Sequence, residues 1–271
     1  MAPTFKREQD RKRALADVEV IQVVAQHGSI TSIRDKGLLG RLESRFEESV
    51  RASDRLSALV DSFETQRVRY CVFGGWVRDT ISQAKTMPVV GSPRDIDLVV
   101  QGVEIEALLS SLPSDVRPTI FGGVQSEAAP IAFDVWPLHE TFLIDRLRLA
   151  PTFESLLRTT DFTINATLFF PRQAANDPTI LDAGMFEALD TRTLAFNCEF
   201  LPFPVMQCAR LAAYAGKLSL NLAPAVRAFM QQIIQDPVRY EQVLFGLDKF
   251  YPASISSRAE GVLRRLIEDA R

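Results

Sequence analysis

Phe73-Gly74-Gly75-Trp76-Val77-Arg78-Asp79, then a polar insertion, then Pro93-Arg94-Asp95-Ile96-Asp97-Leu98-Val99-Val100, is the stretch that decides the fold. The apolar run Tyr70 to Phe73 reads as a buried strand, and Trp76 to Gln83 as the helix after it. A glycine pair at that junction lets backbone approach a ligand closely and leaves free N–H groups at the helix start, a setting suited to an anion. Asp95 and Asp97 alternate along the next strand, so the pleat puts both carboxylates on one face and Ile96 and Leu98 on the other. Two adjacent carboxylates repel unless a cation lies between them, which points to a divalent metal. Either pattern alone is commonplace: a turn, or two solvated acids. A phosphate cradle followed by paired acids suits metal-assisted phosphoryl or nucleotidyl transfer.

Working outward, Asp134 stands inside the apolar run Ile131 to Trp136, a costly place for an acid without a partner. A strand beside that of Asp95 would present it as a third carboxylate. From Val68 onward short apolar runs are divided by Gly and Pro, predicting strands over 68–73, 95–100, 116–121 and 130–136 and helices over 76–83 and 104–111. Upstream, Leu15, Val18, Ile21, Val24 and Ala25 recur at three- and four-residue spacing, predicting an amphipathic helix that Gly28 ends. A second helix is predicted from Leu38 to Gln66, with acids and bases alternating on its solvated face. Past residue 200 the pattern is helical again, over Leu201 to Lys217, 224–235, 238–248 and 255–270. Asp161, before Phe162-Thr163-Ile164-Asn165-Ala166, is placed to cap a helix through its side-chain oxygen.

These motifs resemble the opening signature of the transfer-RNA nucleotidyltransferase (CCA-adding) and bacterial poly(A) polymerase family, within the polymerase-β-like nucleotidyltransferases. That signature is G-G-x-V-R-D followed by D-x-D; here the second part lies further downstream, across an enlarged loop. Asp161 to Ala166 is similar to the second half of the family's R-R-D-F-T-I-N-A motif. The resemblance implies that Asp95, Asp97 and Asp134 hold one or two Mg²⁺ ions and that an NTP is the substrate. It also implies that Gly74, Gly75, Asp161 and Asn165 contact the nucleotide. Thr159 and Thr160 stand where the family has paired arginines, so a positive charge against the triphosphate is lost or comes from Arg78 or Arg94. Asp182 and Gly184 belong to a worn copy of D-x-x-G-G-x-x-D-L. The family's base-selecting E-D-x-x-R group falls on Phe203, Pro204 and Gln207, which cannot make the same paired contacts to a base edge.

The expected fold is α+β: the resemblance implies a nucleotidyltransferase head with a mixed sheet and flanking helices over 67–197 and a helical neck over 198–271, and the apolar spacing adds an N-terminal helical extension over 1–66. The implied activity is Mg-dependent transfer of a nucleoside monophosphate, with an RNA 3′ end the favoured acceptor and a protein or small molecule the others. A nucleotide-binding pseudoenzyme or interaction module on the same fold is the alternative. A net charge of −3 argues against a large nucleic-acid footprint. Cys71, Cys198 and Cys208 fit neither a disulfide framework nor a zinc site. With no run of membrane-spanning length, the expectation is a cytoplasmic protein without membrane contact. Residues 1–66 have no counterpart in the resemblance; packing on the neck, replacing a missing body and forming a homodimer through the N-terminal helices all stay open.

Overall fold

A computed structural model of the chain describes residues 15–26, 28–84, 95–104, 107, 116–127, 131–175 and 177–269. Strands β1 (Val20–Gln22) and β2 (Thr31–Ile33) precede helices α1 (Lys36–Ala52) and α2 (Asp54–Gln66), strand β3 (Arg69–Phe73), helix α3 (Gly75–Ala84) and strand β4 (Asp95–Gln101). Strands β5 (Arg117–Pro118), β6 (Val124–Ser126) and β7 (Ala132–Pro137) come next. Helices α4 (Phe142–Arg146) and α5 (Phe153–Thr159), strands β8 (Thr167–Phe170) and β9 (Thr179–Asp182), and helix α6 (Met185–Asp190) follow. Short strands β10 (Thr193–Leu194), β11 (Phe200–Pro202) and β12 (Asn221–Leu222) flank α7 (Pro204–Leu218), and α8 (Pro224–Gln235), α9 (Pro237–Phe250) and α10 (Ala253–Glu268) end the described chain.

Eight strands form one mixed sheet in the order β2-β9-β8-β3-β4-β7-β6-β5. The pair β4–β7 is parallel and its other pairings are antiparallel. Helices α1 and α2 turn Leu42, Phe46, Leu56, Leu59 and Phe63 inward until none is exposed, and Phe63 and Phe46 pack on Tyr70 at ring-centroid distances of 5.2 and 6.4 Å. Burial of this kind stabilises by about 1.5–3 kcal/mol per large side chain. Pro204, Pro224 and Pro237 each sit in the first turn of a C-terminal helix, where a missing N–H costs nothing. The small residues Ala209, Ala212 and Ala213 let α7 sit at the centre of that helical part, and one apolar cluster runs from Leu39 to Leu266. The α+β class, the mixed sheet and the C-terminal helices are as expected. No described helix is long and apolar enough to cross a membrane.

Two local expectations give way. The helix expected over 38–66 is two: Ser53 is extended, with φ −133°, and its hydroxyl accepts from Leu56 N at 3.3 Å, starting a new helix. The helix expected from Leu15 to Ala25 is also replaced, because Val20, Ile21 and Gln22 pair antiparallel with Pro202, Leu201 and Phe200. Its three- and four-residue spacing is real, but a β-branched run with a strand to pair with prefers the ladder. The N-terminal extension is therefore not wholly helical, and β2 even adds a strand to the sheet edge. Gly28 ends no helix; a Cβ there would lie 2.5 Å from the carbonyl oxygen of Ala183. Gly28→Ala is therefore expected to destabilise the chain by about 1–3 kcal/mol, read as a lowered midpoint in urea. The helix expected over 104–111 falls almost wholly outside the described residues.

Candidate active site

The site is built where β3, β4 and β7 lie side by side. Phe73 pairs with Asp97, and Asp97 in turn pairs with Asp134 in the parallel ladder. Period-two alternation keeps Ile96 and Phe133 in the core while Asp95, Asp97 and Asp134 stay partly accessible. Past Phe73 the chain turns at Gly74, whose φ of +68° is strained for other residues, and a Cβ there would stand 3.6 Å from Asp97 Oδ2. The glycine turn thus lies against the acid.

The electrostatics of the three acids are unbalanced. Burial, then the charges of Asp95 and Asp134, push the Asp97 carboxyl well above the usual range, with Arg210 and Arg78 only partly offsetting them. Burial and Asp95 push Asp134 up to about 6, against a hydrogen bond from the Gln125 side chain. Asp134 Oδ1 is buried with no hydrogen-bond partner. Among the described residues no three His, Cys, Asp or Glu side chains form a ready-made metal cage. An orphaned carboxylate oxygen beside mutually repelling acids nevertheless fits Mg²⁺, which takes one or two carboxylates and fills its shell with water and phosphate.

A cavity of about 640 Å³ opens over these residues. Gly74, Gly75, Arg78, Asp95, Asp97, Asp161 and Asn165 stand in its wall. Asp134 does not; it reaches the site through its register with Asp97. Arg94 lies outside the described residues. Arg78 is in the wall but only 2% exposed, and its guanidinium is already engaged. Its Nε donates to Asp79 Oδ1 at 2.7 Å, its Nη1 to Asn165 Oδ1 at 2.6 Å, and its plane lies 4.9 Å from the Tyr214 ring centroid. Asp161 caps no α-helix: a single 3₁₀ turn, Thr163–Asn165, follows it. Its Oδ1 accepts from Phe162 N at 2.8 Å, and its carboxylate pairs with Arg210.

No family model and no curated protein matches this sequence. Its fold, in contrast, recurs in solved structures. A CCA-adding enzyme in complex with ATP superposes with a TM-score of 0.58 at 16% identity, covering 86% of this chain and 55% of that one. The Thermotoga maritima CCA-adding enzyme complexed with tRNA gives a TM-score of 0.57 at 16% identity, over 86% and 54% of the two chains. A tRNA nucleotidyltransferase complexed with a primer tRNA and an incoming ATP analog gives 0.56 at 19% identity, over 77% and 60%. This is the nucleotidyltransferase fold. The chain spans little more than half the length of the structures it resembles.

Within the nucleotidyltransferase fold, several wall residues had no local signal. Thr159 and Thr160 line the cavity, yet their hydroxyls turn back onto the carbonyls of α5, Thr160 Oγ1 donating to Leu156 O at 2.8 Å. They replace no arginine charge. Lys217, one helix away, donates to Asp79 Oδ2 at 2.5 Å. Tyr214 receives Arg210 Nη2 at 3.4 Å and Asn165 Nδ2 at 3.5 Å on its hydroxyl. Burial works to raise the Tyr214 phenol, but Arg210 and Arg78 outweigh it and lower the pKa. In the sequence, Tyr214 and Lys217 are legible only as parts of the helix expected over Leu201 to Lys217.

Proposed function

We propose that this chain is a nucleotidyltransferase, moving a nucleoside monophosphate from an NTP to an acceptor hydroxyl with release of pyrophosphate. An RNA 3′ end is the favoured acceptor, in keeping with the tRNA and NTP complexes among the structures that share the fold. The observation that carries the reading is the register of Asp97 with Asp134 beside the Gly74 turn, with Asp95 in the same cavity wall.

Asp95, Asp97 and Asp134 would hold Mg²⁺. When bound, the ion supplies a lowered pKa at the attacking hydroxyl and charge neutralisation on the triphosphate. Gly74 and Gly75 present backbone donors at the start of α3 to the phosphates. Asn165 faces the same cavity, and Arg78 fixes its oxygen, leaving its amide nitrogen toward Asp161 and Tyr214. With Arg78 engaged, Arg94 would be the cation for the triphosphate, as the other arginine the sequence offers. Positioning and electrostatics of this kind need no protein nucleophile. Residues 67–197 serve as the catalytic head, 198–271 as a helical neck, and 1–66 as an extension. Three buried, unpaired cysteines suit a reducing, cytoplasmic setting.

The rival reading is a nucleotide-binding module without turnover, which the inward-turned threonines and the open acidic group favour. Incubation with each α-labelled NTP, Mg²⁺ and total RNA separates the two. Label transferred to RNA by the native chain and lost in Asp95→Ala/Asp97→Ala supports the enzyme. NTP binding with no transferred label on any acceptor supports the module.

A further inference from the structure

The cavity wall has two chemical characters. One part carries Gly74, Gly75, Asp95 and Asp97; another carries the phenyl rings of Phe121, Phe142 and Phe203. These rings come from the turn between β5 and β6, the first residue of α4 and the residue before α7. Phe203 meets Phe121 edge-on at a centroid distance of 5.8 Å and Phe142 at 5.9 Å with a 43° tilt. Phe121 remains 44% exposed beside that contact.

Phe203 is also held at a cost. Its φ of 56° and ψ of 58° are left-handed, and the next residue is Pro204, whose ring disfavours helical backbone in the residue before it. One turn further, Gln207 shares the wall, its N–H donating to Phe203 O at 3.0 Å. Gln207 Oε1 accepts from Arg210 Nη1 at 3.0 Å, which fixes the amide orientation and leaves Nε2 as the group it can offer a ligand.

We propose that this aromatic wall holds the base of a purine nucleoside triphosphate by stacking, with Gln207 Nε2 donating to a purine ring nitrogen. The inference rests on the nucleotidyl-transfer reading and names its substrate class. A ring face measures area, so a bicyclic base is held better than a monocyclic one. Adenine and guanine both offer ring-nitrogen acceptors, so a lone donor does not separate them. ATP and GTP are bound alike, ahead of CTP and UTP.

Equilibrium dialysis with the four NTPs in Mg²⁺, and with inorganic tripolyphosphate as the base-free probe, tests this. The native chain is expected to bind ATP and GTP a few-fold more tightly than CTP and UTP, the modest preference that stacking strength gives among bases that all have a π-face. Phe121→Ala, at an exposed turn, and Phe203→Leu, which keeps apolar bulk without a π-face, are each expected to bring that ratio toward one while tripolyphosphate binds as before. Equal binding of the four NTPs by the native chain, or a ratio unmoved in both variants, would overturn the purine wall and leave the transfer reading standing. Binding of neither tripolyphosphate nor any NTP would overturn both.

Discussion

Asp97→Asn is expected to abolish label transfer while making the metal-free chain slightly more stable. Asp97 sits between the two other acids: it alternates with Asp95 on β4 and pairs with Asp134 across the ladder. Burial and both neighbours raise its pKa because they disfavour its charge, so an uncharged amide of the same shape relieves the repulsion that an ionised Asp97 carries. Relief of about 1 kcal/mol would raise Tm by about 2–4 °C in a chain of this size. The same change takes away a ligand for the ion, whose electrostatic contribution is several kcal/mol, so transfer is expected to fall about a thousandfold or more. Paired melts and label-transfer assays read both effects. A variant that stays active, or one that melts lower than the native chain, contradicts the assignment of Asp97 as a metal ligand.

Arg78→Ala is expected to damage the fold itself, by about 3–5 kcal/mol, because it leaves a buried acid with half its partners. Asp79 would keep only Lys217, at 2.5 Å, and Asn165 Oδ1 would lose its 2.6 Å donor. Urea unfolding should show a lower midpoint at an unchanged slope. Arg78→Lys is not expected to rescue, since a point charge cannot serve Asp79, Asn165 and the Tyr214 face together. Burial alone would raise the Asp79 carboxyl, but Arg78 and Lys217 outweigh it and hold the pKa below the ordinary value. A lowered carboxylate contributes stability that is complete above the ordinary carboxylate range and fades as pH falls through its own value. The gap between native and Arg78→Ala midpoints should therefore narrow toward acid pH. An unchanged midpoint at neutral pH would make Arg78 a free cation, available to the triphosphate after all.

How much of this was legible follows from distance along the chain. The Gly74-Gly75 turn, the common face of Asp95 and Asp97 and the C-terminal helices rest on sterics and periodicity among near neighbours, and those patterns survive folding intact. The Ser53 cap had a local signal of the same kind, since Ser is a favoured N-cap, but the unbroken apolar spacing over 38–66 hid it. The replacement of the residue 15–25 helix by β1 was not legible, because its reason, β11, lies far along the chain.

By itself, then, the sequence determined the glycine turn, the paired acids and the α+β succession of elements, all properties of adjacent residues. Tertiary structure alone decided that Asp134 stands opposite Asp97, that Arg78 is occupied by Asp79 and Asn165, and that Phe121, Phe142 and Phe203 share one wall. Each of these depends on which distant segments close onto one another, and burial and ladder register select those closures only once the whole sheet has formed.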